Sequence, residues 1–469
     1  MNSNSVISDI VEKDLCFGCG LCVSVCPKKC LDIKFNDFGE YNPFFCSDQC
    51  THCGLCLKCC IQSGNNYHLD LQEYCDTVNP YHDDLLGKYF QNYVGYSNVD
   101  SHRANGSSGG ITTWLLEILL SKKIVDAIIC VGSNETCKEG LFTFKVLTSV
   151  EDIRNNAKSK YYPVECSDAI TFVMENNITV AMTALPCLTK NLRLAMQHIK
   201  KLRERIKYII SFTCGMGPSS AAAEFICASS GGDPFHLNEI SFRCKIDDKM
   251  TAKNFAIRCV SNKATDNELV TYQNFFSGLG MALDYRMFSL RACDFCDDVF
   301  GEYADISLMD AWHPDYFNDP GGNNIFVIRN REINTLVEEA ITRKEIIANV
   351  IDAQIVIDSQ LPVVDFKRNL IRERIQMAVK ANEAVPYVRE DLLPYRNTFV
   401  DKLRARYRVN TRQISRQKWL DYNKCDMKLT KDLKPLIWKM DMLRRSKKIF
   451  SFYSWFHFIK RIITKEVTS

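Results

Sequence analysis

The sequence predicts an α/β protein with a small cysteine-rich unit in front and a basic helical segment behind. Three observations predict it. Eleven of the 23 cysteines fall between Cys16 and Cys60. Beyond them, apolar runs of strand type alternate with helical spacings, the pattern of a sheet covered by helices. Residues 401–469 carry 19 Lys and Arg against 6 Asp and Glu, so a net charge of +3 conceals an acidic body with a basic end. At 469 residues the chain has room for roughly two to four domains, and 46% apolar content is enough to fill their cores.

The opening "MNSNSVISDIVEKD" carries neither a charged n-region nor an apolar h-region, and no stretch approaches about twenty apolar residues. A cytoplasmic chain is expected, where thiols stay reduced and clustered cysteines favour metals over disulfides. The first cluster reads Cys16-x2-Cys19-x2-Cys22-x3-Cys26-Pro27, and the second reads Cys50-x2-Cys53-x2-Cys56-x3-Cys60. This is the run of bacterial dicluster ferredoxins, in which three cysteines hold one 4Fe–4S cluster and the fourth reaches across to the other. Cys16, Cys19, Cys22 and Cys60 are assigned to one cluster. Cys50, Cys53, Cys56 and Cys26 are assigned to the second. Two-residue gaps let the backbone curl around a cubane, and the glycines of "CFGCG" permit close approach. Zinc is the alternative, but its sites pair two Cys-x2-Cys knuckles over a longer gap. Cys30, Cys46 and Cys59 are surplus. Cys59 offers a second register, and Ile61 stands where a proline usually follows the last ligand. The ferredoxin-like domain is placed at 1–65.

A polar linker follows to about residue 85. The body then opens on "SSGG" (Ser107, Ser108, Gly109, Gly110) and "ITTWLLEILLSKK", with helical apolar spacing at Ile111, Leu115, Ile118 and Leu119. "VDAIICVG" reads as a strand. A small-residue loop at a helix N-terminus suits a phosphate, and an ordinary capped loop looks the same. "NITVAMTALPC" ends a buried strand at Cys187. "RIKYIISFTCGMGPSS" ends another at Cys214. "RACDFCDD" supplies Cys293 and Cys296, and "EYADISLMDAWHP" runs out at Asp310. Ligands of α/β sheets bind at strand carboxyl ends, so Cys187, Cys214, Cys293 and Cys296 are either a third cluster site or two core thiols and a redox dithiol.

The order of these segments resembles the coenzyme F-420 hydrogenase/dehydrogenase beta-subunit family over roughly residues 10–335. The resemblance rests on the dicluster unit, "SSGGITTWLLEILLSKKIVDAII", "AKSKYYPV", "LPC", "CGMGPS", "CDFCDD", and "ADISLMDAWHP" followed by "GGNNIFVIRN". It implies an iron–sulfur flavoprotein with a flavin-binding body at 85–165 and 166–335. Ser107, Ser108, Gly109 and Gly110 would meet FAD phosphates, and Ser159, Lys160 and Tyr161 would also contact the flavin. Cys187, Cys214, Cys293 and Cys296 would hold a third 4Fe–4S cluster near it. FAD suits the role, because it exchanges a hydride pair on one side and single electrons on the other. Two departures stand out. Ala184-Leu185-Pro186-Cys187-Leu188 replaces Gly-Thr-Pro-Cys-Gln, and Met309 stands where Gly-Asp-Ala-Trp begins. No catalytic acid is assigned. His313 and Asp310 are weighed, with a structural role preferred for His313.

Residues 336–469 are expected as a helical basic tail. "SKKIFSFYSWFHFIKRIITK" places Ile449, Phe452, Tyr453, Phe456, Ile459 and Ile463 on one face with Lys and Arg beside it. Such a face suits an anionic membrane or a partner subunit, and equally a helix packed on the body. No nucleic-acid motif accompanies the charge. The expected protein exchanges electrons with a donor or acceptor protein such as ferredoxin, and its FAD serves a small acceptor such as a deazaflavin. It sits in the cytoplasm or at the inner membrane face. The alternatives are a flavin-free electron-transfer subunit and an accessory protein of surface-polysaccharide synthesis.

Overall fold

The computed structural model describes residues 5–64, 80–135, 139–245, 255–262, 268–275, 277, 279–389 and 397–450, with backbone alone over 446–450. The N-terminal unit holds a hairpin, β1 (Leu31–Phe35) and β2 (Tyr41–Phe45), flanked by two short helices, Leu21–Ser24 and Leu55–Lys58. Each of these helices is entered through a left-handed glycine, Gly20 (φ 77°) and Gly54 (φ 72°), which gives the two cysteine runs the same local shape. A small hairpin follows, β3 (Tyr81–Asp83) with β4 (Gly87–Tyr89).

The body is built on β5 (Gln91–Ser97), β6 (Ala127–Ser133), β7 (Phe142–Leu147), β8 (Val180–Ala184), β9 (Ile206–Phe212), β13 (Ile306–Asp310), β14 (Asn324–Ile328) and β15 (Ile346–Val350). A separate antiparallel sheet lies between, β10 (Leu237–Lys245), β11 (Phe255–Asn262) and β12 (Glu268–Asn274). The eight strands form one sheet in the order β15-β5-β14-β13-β9-β8-β6-β7. Its centre, β13-β9-β8-β6, is parallel, and the outer strands are antiparallel. β8 is buried at every position, as a strand covered on both faces must be. Side chains alternate between two cores. Ile128, Ala181 and Ile210 meet the helices Ile111–Ser121 and Arg331–Thr342 on one face, while Ile129, Met182 and Ile209 meet Ser167–Glu175 and Pro186–His198 on the other. Leu21, Val25 and Cys59 of the N-terminal unit enter this second core, so the cysteine-rich unit is packed onto the body rather than tethered to it.

Two expectations need correction. The body does not stop near 335, since β15 pairs with β5 at the sheet edge. Nor do the described residues of the basic segment form a projecting tail. The helix Phe399–Asp421, opened by a Thr398–Asp401 capping box, lies against the body with Ala405, Thr411, Arg412, Ser415 and Trp419 buried. Helical spacing is indifferent to what a face packs on, which is why sequence left both readings open. Most of the aromatic face read for membrane docking, from Phe452 on, and the side chain of Ile449 lie outside the described residues. Among the described residues no helix is long and apolar enough to cross a membrane.

Candidate functional site

The N-terminal cysteines gather into two sets. Cys22 lies among Cys19, Cys16, Cys60 and Cys56, and Cys60 among Cys19, Cys16 and Cys56. Cys26, Cys50, Cys53 and Cys56 line one recess, together with Cys30. Cys60 lies beside the first run and Cys26 beside the second, with Cys56 next to both sets. Burial pushes the Cys16 thiol up to about 12, and a backbone N–H from Gly18 at 3.3 Å partly opposes it. Cys16, Cys19, Cys22 and Cys60 are each partly accessible, yet burial raises all four. That combination belongs to sulfurs facing an internal space. Burial also opposes ionisation of Cys26, but hydrogen bonds from Cys30, Lys28 and Lys29 hold it below the ordinary thiol value, and the Cys26 and Cys30 sulfurs are 3.4 Å apart. Among the described residues no group of three or more His, Cys, Asp or Glu converges on a single ion. A cubane spreads its thiolates around its outside rather than onto one ion. The two sets fit clusters.

A third set forms where β8 and β9 end. Cys187 begins the helix Pro186–His198, Cys214 follows β9, and Cys293 and Cys296 come from a turn at Arg291–Phe295. Burial raises Cys187 well above its usual value, with Cys214, Cys296 and Cys293 adding to the rise. Burial likewise carries Cys293 to about 12, against an N–H from Gly217 at 3.2 Å. One cation sits among them. The Lys367 ammonium donates to the Cys296 sulfur at 3.1 Å and to the Asp298 carbonyl at 2.7 Å, and Lys367 is 2% exposed. Among the described residues no carboxylate forms an ion pair with it. A buried ammonium demands a counter-charge, and the sulfurs alone are placed to supply one. Four thiolates around a cluster would fit that demand.

The small-residue loop lies at the same carboxyl edge of the sheet. Ser107 accepts the Ser159 N–H at 2.8 Å, and Ser108 donates to the Asn323 carbonyl at 2.8 Å. A Cβ at Gly109 would meet the Gly95 carbonyl oxygen at 2.7 Å and the Asn324 nitrogen at 2.8 Å, while Gly110 is left-handed (φ 77°) and crowds His102. Both glycines are required by the protein's own backbone. Lys160 turns inward to the Asn156 and Ala157 carbonyls, and burial lowers it to about 8. Tyr161 accepts from Arg243, whose guanidinium also meets Asp310 at 2.8 Å and lies 4.7 Å from the Phe255 ring. The His313 ring lies tilted against Tyr316, with Asp315 at 3.4 Å.

Known proteins match this arrangement. Residues 92–171 and 178–354 match the N-terminal and C-terminal parts of the coenzyme F-420 hydrogenase/dehydrogenase beta subunit, and residues 9–32 match a 4Fe–4S binding domain. The chain belongs to the F-420 hydrogenase/dehydrogenase beta-subunit family. It is an iron–sulfur protein of an oxidoreductase family. One relative is a subunit of the F(420)H(2) dehydrogenase of Methanosarcina mazei, 24% identical over 216 residues, covering 44% of this chain and 55% of that protein. Another is the coenzyme F-420-dependent sulfite reductase of Methanocaldococcus jannaschii, 25% identical over 363 residues, covering 72% of this chain and 49% of that protein. The chain thus spans about half the length of the curated relatives it matches. A chain of the F-420-reducing nickel–iron hydrogenase complex from Methanosarcina barkeri overlays at a TM-score of 0.47 with 16% identity, covering 67% of this chain and 100% of that one.

Sequence reasoning missed three residues of this beta-subunit-like site. Lys367 lies beyond the family match, in a segment read only as basic helix. Arg243 is 3% exposed with Nε and Nη1 unpartnered among the described residues, and nothing local in "FRCK" marks it. Asn191 donates to the Cys19 sulfur at 3.4 Å and accepts the Ile61 N–H at 2.9 Å. The four-residue step from Cys187 on the helix that starts at "LPC" carried the signal, since it puts Asn191 on the same helix face as Cys187.

Proposed function

We propose that the chain is an iron–sulfur flavoprotein oxidoreductase with three 4Fe–4S groups and FAD. One group is held by Cys16, Cys19, Cys22 and Cys60, one by Cys26, Cys50, Cys53 and Cys56, and one by Cys187, Cys214, Cys293 and Cys296. The observation that carries the reading is the third set, four cysteines from three separate segments around a buried ammonium with no carboxylate in ion-pair range among the described residues. The groups supply single-electron carriage and FAD the exchange with a two-electron acceptor. The residues do the placing. Asn191 ties the Cys19 segment and Ile61 to the helix that bears Cys187. The shared core of Leu21, Val25, Leu188 and Leu192 fixes that distance and excludes water. Ser107, Ser159 and Tyr161 border the carboxyl edge of the sheet beside Arg243, whose unpartnered donors suit an anionic edge of FAD or of its acceptor. The acceptor is proposed as a deazaflavin or another small metabolite, and the cytoplasm as the site of action.

A second reading has one observation in its favour. Gly109 and Gly110 are filled by the protein's own backbone, so the loop has a structural reason to exist without a phosphate. A flavin-free electron-transfer subunit, or an accessory of surface-polysaccharide synthesis, follows from that. Anaerobic purification with iron, sulfide and flavin measured per chain separates the readings. Twelve irons with one FAD support the proposal. Eight irons without flavin refute it.

A further inference from the structure

The first and third cysteine sets differ in what touches their sulfurs. Among the charged neighbours bearing most on Cys16 and Cys19 are Glu40, Asp14 and Glu165, the first two of them paired with Arg416 at 2.7 and 3.1 Å. The neighbours bearing on Cys214 are Lys367 and Arg286, with Asp298 behind them. Arg286 is buried, donates to the Gly215 carbonyl at 2.6 Å, and stacks 3.8 Å from the Phe366 ring. Arg374 covers Phe366 at the same distance. The turn Asp365–Asn369 that delivers Lys367 is pinned on both sides. Arg404 holds Asp365 at 2.5 Å, and Arg374 donates to the Phe366 carbonyl at 2.7 Å. The lysine is therefore held rigidly with its charge on a sulfur, and it comes from chain outside the family match.

We propose that Lys367, seconded by Arg286, sets the reduction potential of the group held by Cys187, Cys214, Cys293 and Cys296, raising it above that of the group on Cys16, Cys19, Cys22 and Cys60. Reduction adds one negative charge to such a group. A fixed cation at hydrogen-bond distance favours the reduced form, and in a buried site little screens it. Net charge and hydrogen bonds to sulfur are the recognised determinants of these potentials. Among the described residues the first set has no cation hydrogen-bonded to its sulfurs: an uncharged amide meets Cys19, and the carboxylates Asp14 and Glu40 beyond are shared with Arg416. Electrons entering at the N-terminal unit then collect at the sheet's carboxyl edge, beside Arg243 and Tyr161. The inference rests on the proposed third group.

The test is a potentiometric titration of the anaerobically loaded chain, followed by EPR, with iron counted on the same samples. In Lys367→Met one midpoint should fall by at least a tenfold change in the equilibrium constant, about 59 mV for one electron, while the others stay. Lys367→Arg should restore most of it, and Arg286→Gln should lower the same midpoint by less. Twelve irons in Lys367→Met with every midpoint in place would overturn the proposal and leave the three-group reading standing. Eight irons in the unaltered chain would remove that reading, and this proposal with it. If Lys367→Met alone loses four irons, Arg286→Gln decides, and an unmoved midpoint there overturns the proposal.

Discussion

Replacing Trp419 tests whether the basic segment belongs to the body. Its indole is 1% exposed, packed edge-on against Phe225 and Phe288 with centroids at 5.8 and 5.9 Å. Its Nε1 donates to Glu224 at 2.9 Å, and Glu224 also pairs with Lys424 at 3.0 Å. Truncating a buried tryptophan to alanine costs ~3–5 kcal/mol, from lost transfer energy and the cavity left behind. At about 1.4 kcal/mol per decade, the helix Phe399–Asp421 should open roughly 100- to 4000-fold more often in Trp419→Ala. Trp419→Phe keeps a ring in the site and forfeits the hydrogen bond to a carboxylate, ~1.5–3 kcal/mol or roughly 10- to 150-fold. Amide hydrogen exchange of that helix, measured against β8 and β9 as internal standards, reads both values. Exchange in Trp419→Ala equal to that of the unaltered chain would show the helix already undocked and refute the packing argument.

Two further outcomes follow from contacts elsewhere. Asn191→Leu leaves the Ile61 N–H without its acceptor and the Cys19 sulfur without its donor. The N-terminal unit should lose ~1–3 kcal/mol, read as a lower urea midpoint for loss of its visible iron–sulfur absorption, and an unchanged midpoint would contradict it. Glu117 is buried between His102 at 2.9 Å and Arg154 at 2.7 Å; burial works against its charge, but these partners hold its carboxyl below the ordinary 4.5. A depressed carboxyl contributes stability that is present above its unfolded value and lost as pH falls through the folded one. Glu117→Gln should therefore flatten the decline in thermal stability below about pH 4.5, and an acid limb identical to that of the parent would count against the ion pair.

What the sequence made legible was local. Two-residue gaps force Cys16, Cys19 and Cys22 onto one loop, so their grouping needs no knowledge of the body. Cys187, Cys214 and Cys293 are separated by long stretches: the parallel pairing of β8 with β9 sets the ends bearing Cys187 and Cys214 side by side, and Cys293 comes to them from the separate turn at Arg291–Phe295. A sequence read alone can note a thiol at a strand end but not which ends are neighbours, so the resemblance had to supply that step. The loop at Ser107–Gly110 shows the opposite failure. The glycines there left a phosphate site and an ordinary capped loop equally open, and in the fold Gly109 and Gly110 are crowded by Gly95, Asn324 and His102. A glycine chosen for close approach does not declare what approaches it.

The charge asymmetry was visible from the start and its meaning was not. A basic end on an acidic body suggested a surface for a membrane or a partner. In the fold part of that charge, together with cations from the stretch just before it, is spent internally. Arg416 meets Asp14 and Glu40 of the N-terminal unit, and Arg412 meets Asp294 between Cys293 and Cys296. Arg389 and Arg368 meet Asp297 and Glu302 behind the third cysteine set. These carboxylates are mostly buried, and a buried carboxylate left alone costs several kcal/mol, so the body could not carry them without the segment that follows it. The same segment brings Lys367 to Cys296, where no carboxylate waits for it among the described residues. Each of these four arginines answers an acid already present; Lys367 instead meets a sulfur and a backbone carbonyl.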